Sequence, residues 1–182
     1  QPDFSTYCWY DFVFNVEPNR ILIIKPSSLG DIIHALPTLA VLRSRFPNAW
    51  ITWLVKNEWA EILDGNPNLN EVLPVNFDIM QWPSLIRTIR RKSFDLVIDL
   101  QGLFRSAFLA KFSGASIVVG FADGREGSPW FYSHRVPLPI PKGKSWRLWD
   151  MHAVDRNLCV AKFLGANWVV PKFWLPNYDD DQ

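Results

Sequence analysis

Cysteine and methionine are scarce in this 182-residue chain, at two residues each. Cys8 and Cys159 are too few and too far apart to form a disulfide framework, which points to a reducing compartment. An excess of charge of either sign is missing as well, because 19 Lys and Arg face 18 Asp and Glu for a net of +1. A nucleic-acid partner would want a strong basic excess, so that class is set aside and any positive patch is local. No apolar run approaches the roughly 20 residues that a membrane-spanning helix needs. The first residues, with Asp3, Asp11 and Glu17 among aromatics, lack the basic start of a signal peptide. A soluble cytoplasmic domain is the expectation.

Several chemical signatures are also missing. No Gly-x-Gly-x-x-Gly and no Walker A lysine motif occurs, so neither a dinucleotide site nor a P-loop is indicated. His34, His134 and His152 have no metal-ligand spacing with either cysteine, so no metal site is expected. Ser28, His34 and Asp31 could be assembled into a triad on paper, but no nucleophile elbow accompanies them. What is abundant is aromatic: ten Trp and thirteen Phe in a chain with 48% hydrophobic residues, enough for one real core.

The chain becomes regular at Arg20. Ile21-Leu22-Ile23-Ile24 is an all-apolar run of the kind a strand buried on both faces requires. It leads through Lys25-Pro26-Ser27-Ser28-Leu29-Gly30 to Asp31 and a helix over about 31–45. Pro37 removes a backbone hydrogen bond there and predicts a kink or a second start. Further strands are expected at 50–55, 71–75, 94–99 and 115–120. Helices are expected at 58–63, 82–92, from Gly102 to about Phe112, and at 150–164, the last closed by Gly165. Phe121–Lys144 is too long for a simple connection and reads as a functional loop. Strands alternating with helices give a doubly wound, Rossmann-like parallel sheet of five strands or more, an α/β fold. Residues 1–19 form an extension without a clear period, 20–170 the domain, and 171–182 a proline-containing linker.

In such a sheet, ligands bind at the carboxyl ends of the strands. Asp31 has a plain structural reading as a helix cap. Its functional reading is a general base that takes a proton from an acceptor hydroxyl. A helix N-terminus favours the ionised carboxylate, so the advantage of Asp31 would lie in position and in staying charged at neutral pH. Ser27, Ser28 and the Gly30 amide could bind an anionic or hydroxyl-rich ligand there, and the missing Cβ of Gly30 lets it come close. Asp99-Leu100-Gln101-Gly102-Leu103-Phe104-Arg105-Ser106 falls at the same edge, where an ordinary turn is the competing reading. Arg87, Arg90 and Arg91 on one helix fit a solvated face. Arg125, in Asp-Gly-Arg-Glu-Gly, is placed to clamp a carboxylate or phosphate. Trp50, Trp53, Trp59, Trp130, Trp146 and Trp149 could pack on a further domain.

Arg20–Pro37, with its Ser-Ser-Leu-Gly-Asp-Ile-Ile-His core, resembles the opening of the bacterial lipopolysaccharide heptosyltransferases, glycosyltransferase family 9. Asp99–Ala107, Gly124-Arg125-Glu126 and His152–Arg156 resemble later family motifs in the right order. The resemblance implies the N-terminal, acceptor-binding half of a GT-B glycosyltransferase, in which two Rossmann-like domains face across a cleft. It implies inverting, metal-independent transfer of heptose, with Asp31 as the catalytic aspartate and Arg125 on an acceptor-facing loop. Ser27, Ser28, Gly30, Gln101, Gly102, Arg105 and Arg125 would then hold the acceptor, a Kdo-bearing lipid A precursor. No cofactor is expected. The ADP-heptose donor would be bound by a C-terminal domain that this chain does not contain, and the lipid acceptor implies peripheral contact with the inner membrane. The rival expectations are a catalytically inactive remnant that keeps only the acceptor cleft, and a relative using another nucleotide sugar.

Overall fold

A computed structural model of the chain describes residues 15–137, 151–167 and 173–176. Six strands form one sheet: β1 (Arg20–Ile24), β2 (Trp50–Lys56), β3 (Glu71–Val75), β4 (Leu96–Asp99), β5 (Ile117–Phe121) and β6 (His134–Val136). Their spatial order is β3-β2-β1-β4-β5-β6, and every pairing is parallel. The order reverses between β1 and β4, so connections leave that point in opposite directions and a crevice opens at the strands' carboxyl ends.

The strand sequences explain the layering. Ile21 and Ile23 turn to one face and Leu22 and Ile24 to the other, and all four are fully buried. The first face is covered by α1 (Leu29–Arg45) and α4 (Ala153–Phe163). The second is covered by α2 (Trp82–Arg91) and α3 (Phe104–Phe112). A sheet sandwiched in this way needs apolar residues on both sides of each central strand, and β1 and β4 supply them.

α1 runs unbroken through Pro37, with no second start. Pro37 is buried among Leu36, Thr38 and Leu39, and packing of that face holds the turn in which the proline leaves out one hydrogen bond. The segment expected as a helix at 58–63 is a 3-10 helix, Asn57–Leu63. The stretch expected as one long loop from Phe121 holds a 3-10 turn at Ser128–Phe131 and the edge strand β6. Three residues are too few for a period-two pattern to register, which is why β6 was not legible. The remainder of that stretch, together with residues 1–14, Trp146 and Trp149, and most of the linker, lies outside the described residues. Trp53 is fully buried in the sheet, so it belongs to the core and to no outward-facing cluster. Trp50 and Trp130 are exposed. No helix among the described residues is long and apolar enough to cross a membrane.

The central strand sets the stability of the whole sandwich. Ile23→Ala would empty a fully buried site between β2 and β4. It should lower the unfolding free energy by about 2–5 kcal/mol in a urea titration; a loss under about 1 kcal/mol would mean that β1 is not at the centre of the core.

Candidate active site

Two turns meet at the crevice. The first follows β1. Ser28 caps α1 and Asp31 sits in its first turn. Asp31 Oδ2 accepts from the Ser28 backbone N–H at 3.1 Å and from Ser28 Oγ at 3.2 Å. Capping and chemistry are therefore not alternatives here. One carboxylate oxygen is committed to the helix end, and Oδ1 has no hydrogen-bond donor among the described residues. Ser28 and Gly30 are exposed, Ser27 and Asp31 half-buried. A Cβ added at Gly30 would meet no atom within 4 Å, so the side of the turn at Gly30 is open.

The second turn follows β4, and its anchor is Asp99, which is fully buried. Its Oδ1 accepts from the amides of Gln101 at 2.9 Å and Gly102 at 3.2 Å. Its Oδ2 accepts from Ser106 Oγ at 2.8 Å and from the Tyr132 hydroxyl at 2.7 Å. Burial pushes the Asp99 carboxyl above its ordinary range, and the four donors pull it back only in part. The same burial, with the Asp99 charge beside it, drives the Tyr132 phenol far up, so Tyr132 stays a donor at any working pH. Gly120 makes room for this contact, since a Cβ there would lie 2.4 Å from the Tyr132 ring. Gly102 takes φ +70°, a conformation glycine adopts without strain.

The Gly102 carbonyl then ties down the loop after β5. It accepts from the Arg125 backbone N–H at 2.8 Å and from Ser128 Oγ at 3.1 Å. Arg125 is thereby brought to the edge that carries Asp31, with its side chain exposed. Glu126 Oε2 accepts from the Phe104 amide at the start of α3. Arg156 of α4 completes the ring, pairing both oxygens of Asp123 at 3.2 Å and lying 3.7 Å over the Phe121 ring. His34 and His152 approach edge to face at 5.3 Å. Gln101 Oε1 is buried with no hydrogen-bond partner among the described residues. Of the residues singled out in the sequence, Arg105 stands apart: it is exposed in the first turn of α3 and shares no hydrogen bond with these groups. Among the described residues no cluster could hold a metal ion.

Lys25 was not singled out in the sequence, although it opens the first turn. Only 7% exposed, it is pinned at the end of β1: its carbonyl accepts from Trp53 Nε1 at 3.1 Å and its amide donates to Leu54. Its ammonium lies within electrostatic reach of Asp31, Asp99, Arg156 and Arg125, and makes no hydrogen bond among the described residues. The signal available was a cation placed directly after four buried apolar residues. Burial pushes Lys25 below the usual lysine range, opposed by the two carboxylates and aided by the two guanidiniums. Buried charge without a hydrogen-bonded partner is costly to keep for structure alone. The arrangement can meet an anionic, hydroxyl-bearing ligand with cations from Lys25 and Arg125 and accept a proton at Asp31.

A family model described as glycosyltransferase family 9 (heptosyltransferase) matches residues 82–164, a span that includes the Asp99 turn, Arg125 and Arg156. Lipopolysaccharide heptosyltransferase 1 of Pseudomonas aeruginosa is 32% identical over 152 residues, 76% of this chain and 40% of that protein. The Escherichia coli K12 protein of the same name is 31% identical over 186 residues, 89% of this chain and 55% of its own length. Among solved structures, the E. coli heptosyltransferase WaaC with ADP aligns with a TM-score of 0.68 and 28% identity, over 85% of this chain and 50% of that one. A family 9 glycosyltransferase from Veillonella parvula has a TM-score of 0.72 at 22% identity, covering 89% of this chain and 46% of that one, and supports the fold. The chain spans about half the length of the curated relatives it matches.

The desolvation of Lys25 gives a pH signature. Where the folded-state value lies below 10.5, the unfolded chain holds a proton that the folded chain has lost, so stability rises with pH across that window. Lys25→Met should remove this rise. The stability difference between wild type and variant, followed by urea unfolding, should grow in favour of wild type as pH approaches 10.5; a constant difference would show that the ammonium is solvated.

Proposed function

We propose, from the match of residues 82–164 to glycosyltransferase family 9 and the similarity of the chain to heptosyltransferases, that it is the acceptor-binding half of a heptosyltransferase acting in lipopolysaccharide core assembly. The acceptor is a Kdo-bearing lipid A precursor, anionic and rich in hydroxyls, and the donor is ADP-heptose held by a second domain. The observation that carries the reading is the division of labour at Asp31: Oδ2 caps the helix, while Oδ1 accepts no hydrogen bond among the described residues, at the sheet edge that also carries Lys25 and the Gly102–Arg125 turn.

Asp31 Oδ1 takes the proton of an acceptor hydroxyl as that oxygen attacks the anomeric carbon of the heptose. The carbon–oxygen bond to ADP breaks in the same step, ADP leaves with the electron pair, and the anomeric configuration inverts. Lys25 and Arg125 neutralise acceptor carboxylate or phosphate groups. Gln101 supplies an amide whose oxygen is already desolvated and has a partner to gain. Ser27, Ser28 and Gly30 line the open side of the Asp31 turn and complete the acceptor cradle. Asp99 acts through others, holding the turn that carries Gln101 and Gly102. A lipid-linked acceptor fits a protein that works on the cytoplasmic face of the inner membrane, in peripheral contact with it.

The test separates the cap from the base. Asp31→Asn keeps an oxygen for Ser28 but cannot take a proton. With this chain joined to the C-terminal half of the E. coli relative, the substitution should lower kcat by about 10²–10⁴-fold with little change in acceptor KM and in melting temperature. Near-normal turnover of the Asn variant would end the assignment of Asp31 as base.

A further inference from the structure

The active-site reading leaves one conspicuous surface unused. α3 reads Phe-Arg-Ser-Ala-Phe-Leu-Ala-Lys-Phe, and its core positions are filled by Ser106, Ala107, Leu109 and Ala110. Phe104, Phe108 and Phe112 recur every four residues and so form a line along the helix, away from those core positions. Phe104 is 42% exposed and Phe112 44%. Ring contacts anchor the line on both sides: the buried Trp82 of α2 lies 5.3 Å from Phe108, and the half-buried Phe131 lies 5.5 Å from Phe104. Met80, in the turn before α2, is 82% exposed, and Trp130, next to Phe131 in the chain, is 83% exposed.

Cations border this aromatic line. Arg87, Arg90 and Arg91 on α2 are exposed and, with Pro83 and Ile86, line an open hollow of about 410 Å³. Arg90 Nε lies 3.5 Å from where a Gly114 Cβ would stand, so the α2 cations reach the C-terminal end of α3. Acidic residues are excluded from both helices: none occurs between Asp78 and Asp95, nor between Asp99 and Asp123. In a chain with 18 acidic residues and a net charge of only +1, that separation is a property of the two helices and not of the composition; acids stand only beside their first turns, where Glu126 accepts from the Phe104 amide and Asp78 from the Met80 amide.

We propose that the outward face of α2 and α3 docks the protein on an anionic lipid bilayer, with the phenylalanine line entering the headgroup region and the arginines meeting lipid phosphates. The proposal rests on the lipid-linked acceptor reading and gives it a geometry. Aromatic rings backed by cations are what an interfacial helix uses at an anionic membrane. Two residues separate Gln101 from the first of these phenylalanines, so a sugar head attached to a lipid in the bilayer has a short path to Asp31 while its acyl chains stay in the membrane. A second protein domain is a poorer occupant. Covering this face would bury the exposed guanidiniums of Arg87, Arg90 and Arg91, and neither helix offers an acid to compensate them.

The test is flotation of the full chain with vesicles of phosphatidylethanolamine and phosphatidylglycerol in equal parts, compared with phosphatidylcholine vesicles. Neither contains the acceptor, so binding is read independently of transfer and survives or fails on its own. The chain should float with the anionic vesicles and stay behind with phosphatidylcholine. Arg87→Glu with Arg91→Glu, and separately Phe104→Ser with Phe112→Ser, should each weaken binding about tenfold or more with unchanged circular dichroism, because all four side chains are exposed. Equal binding to both vesicle types, or undiminished binding of either double variant, would overturn the proposal. So would variants that abolish self-association in light scattering while leaving vesicle binding intact, since the face would then be covered by a second copy.

Discussion

Everything at the active edge depends on the reversal of strand order between β1 and β4. All six strands run the same way, so every carboxyl end emerges at one edge. Chain connections diverge on either side of the reversal, so no crossover fills the gap. The turn after β1 and the turn after β4 are neighbours for that reason alone, although some seventy residues separate them in the chain. The register fixes the match: Ile24 stands opposite Asp99, and the Leu100 amide donates to the Ile24 carbonyl. Lys25 and Asp99 thus follow from sheet topology, and their mutual electrostatic influence from burial.

That constraint divides the acidic residues into two kinds. Asp99 is sealed, holds four donors, and fixes the positions of Gln101, Gly102, Ser106 and Tyr132. Asp31 is half-buried and keeps one oxygen clear. A carboxylate buried under four hydrogen bonds is a scaffold, while one at an open helix end is placed for a ligand. The Gly102 carbonyl links the two by holding the Arg125 loop, so a disturbance at Asp99 or Tyr132 would travel to Arg125 through the backbone.

Much of this was legible in the sequence, for physical reasons. Ile21–Ile24 and Leu96–Ile98 are apolar without alternation, which only a strand covered on both faces tolerates, and a parallel sheet with its edge site follows. The position of Asp31 and Gln101 at that edge was legible because a strand that ends at a small-residue turn before a helix marks it. Lys25 escaped because a lysine after a strand looks solvated until its neighbours are known. Tyr132 escaped because its partner, Asp99, is 33 residues away in sequence. Trp53 was misassigned to an outward cluster because tryptophan count says nothing about face, whereas its place in β2 buries it completely. The phenylalanine line on α3 was written in the sequence at four-residue spacing, but only the burial of Ala107, Leu109 and Ala110 shows that it points outward.

The central claim is that this half-length chain recognises the sugar acceptor at the β1–β4 crevice. The most direct measurement is a two-dimensional amide NMR titration of the isolated chain with a water-soluble, deacylated Kdo-bearing acceptor and, separately, with ADP-heptose. The expected result is acceptor-dependent shifts concentrated at Lys25–Asp31, Asp99–Gly102 and Asp123–Glu126, with ADP-heptose leaving those amides unmoved. Shifts from the nucleotide sugar at these positions, or an acceptor that perturbs none of them, would contradict it.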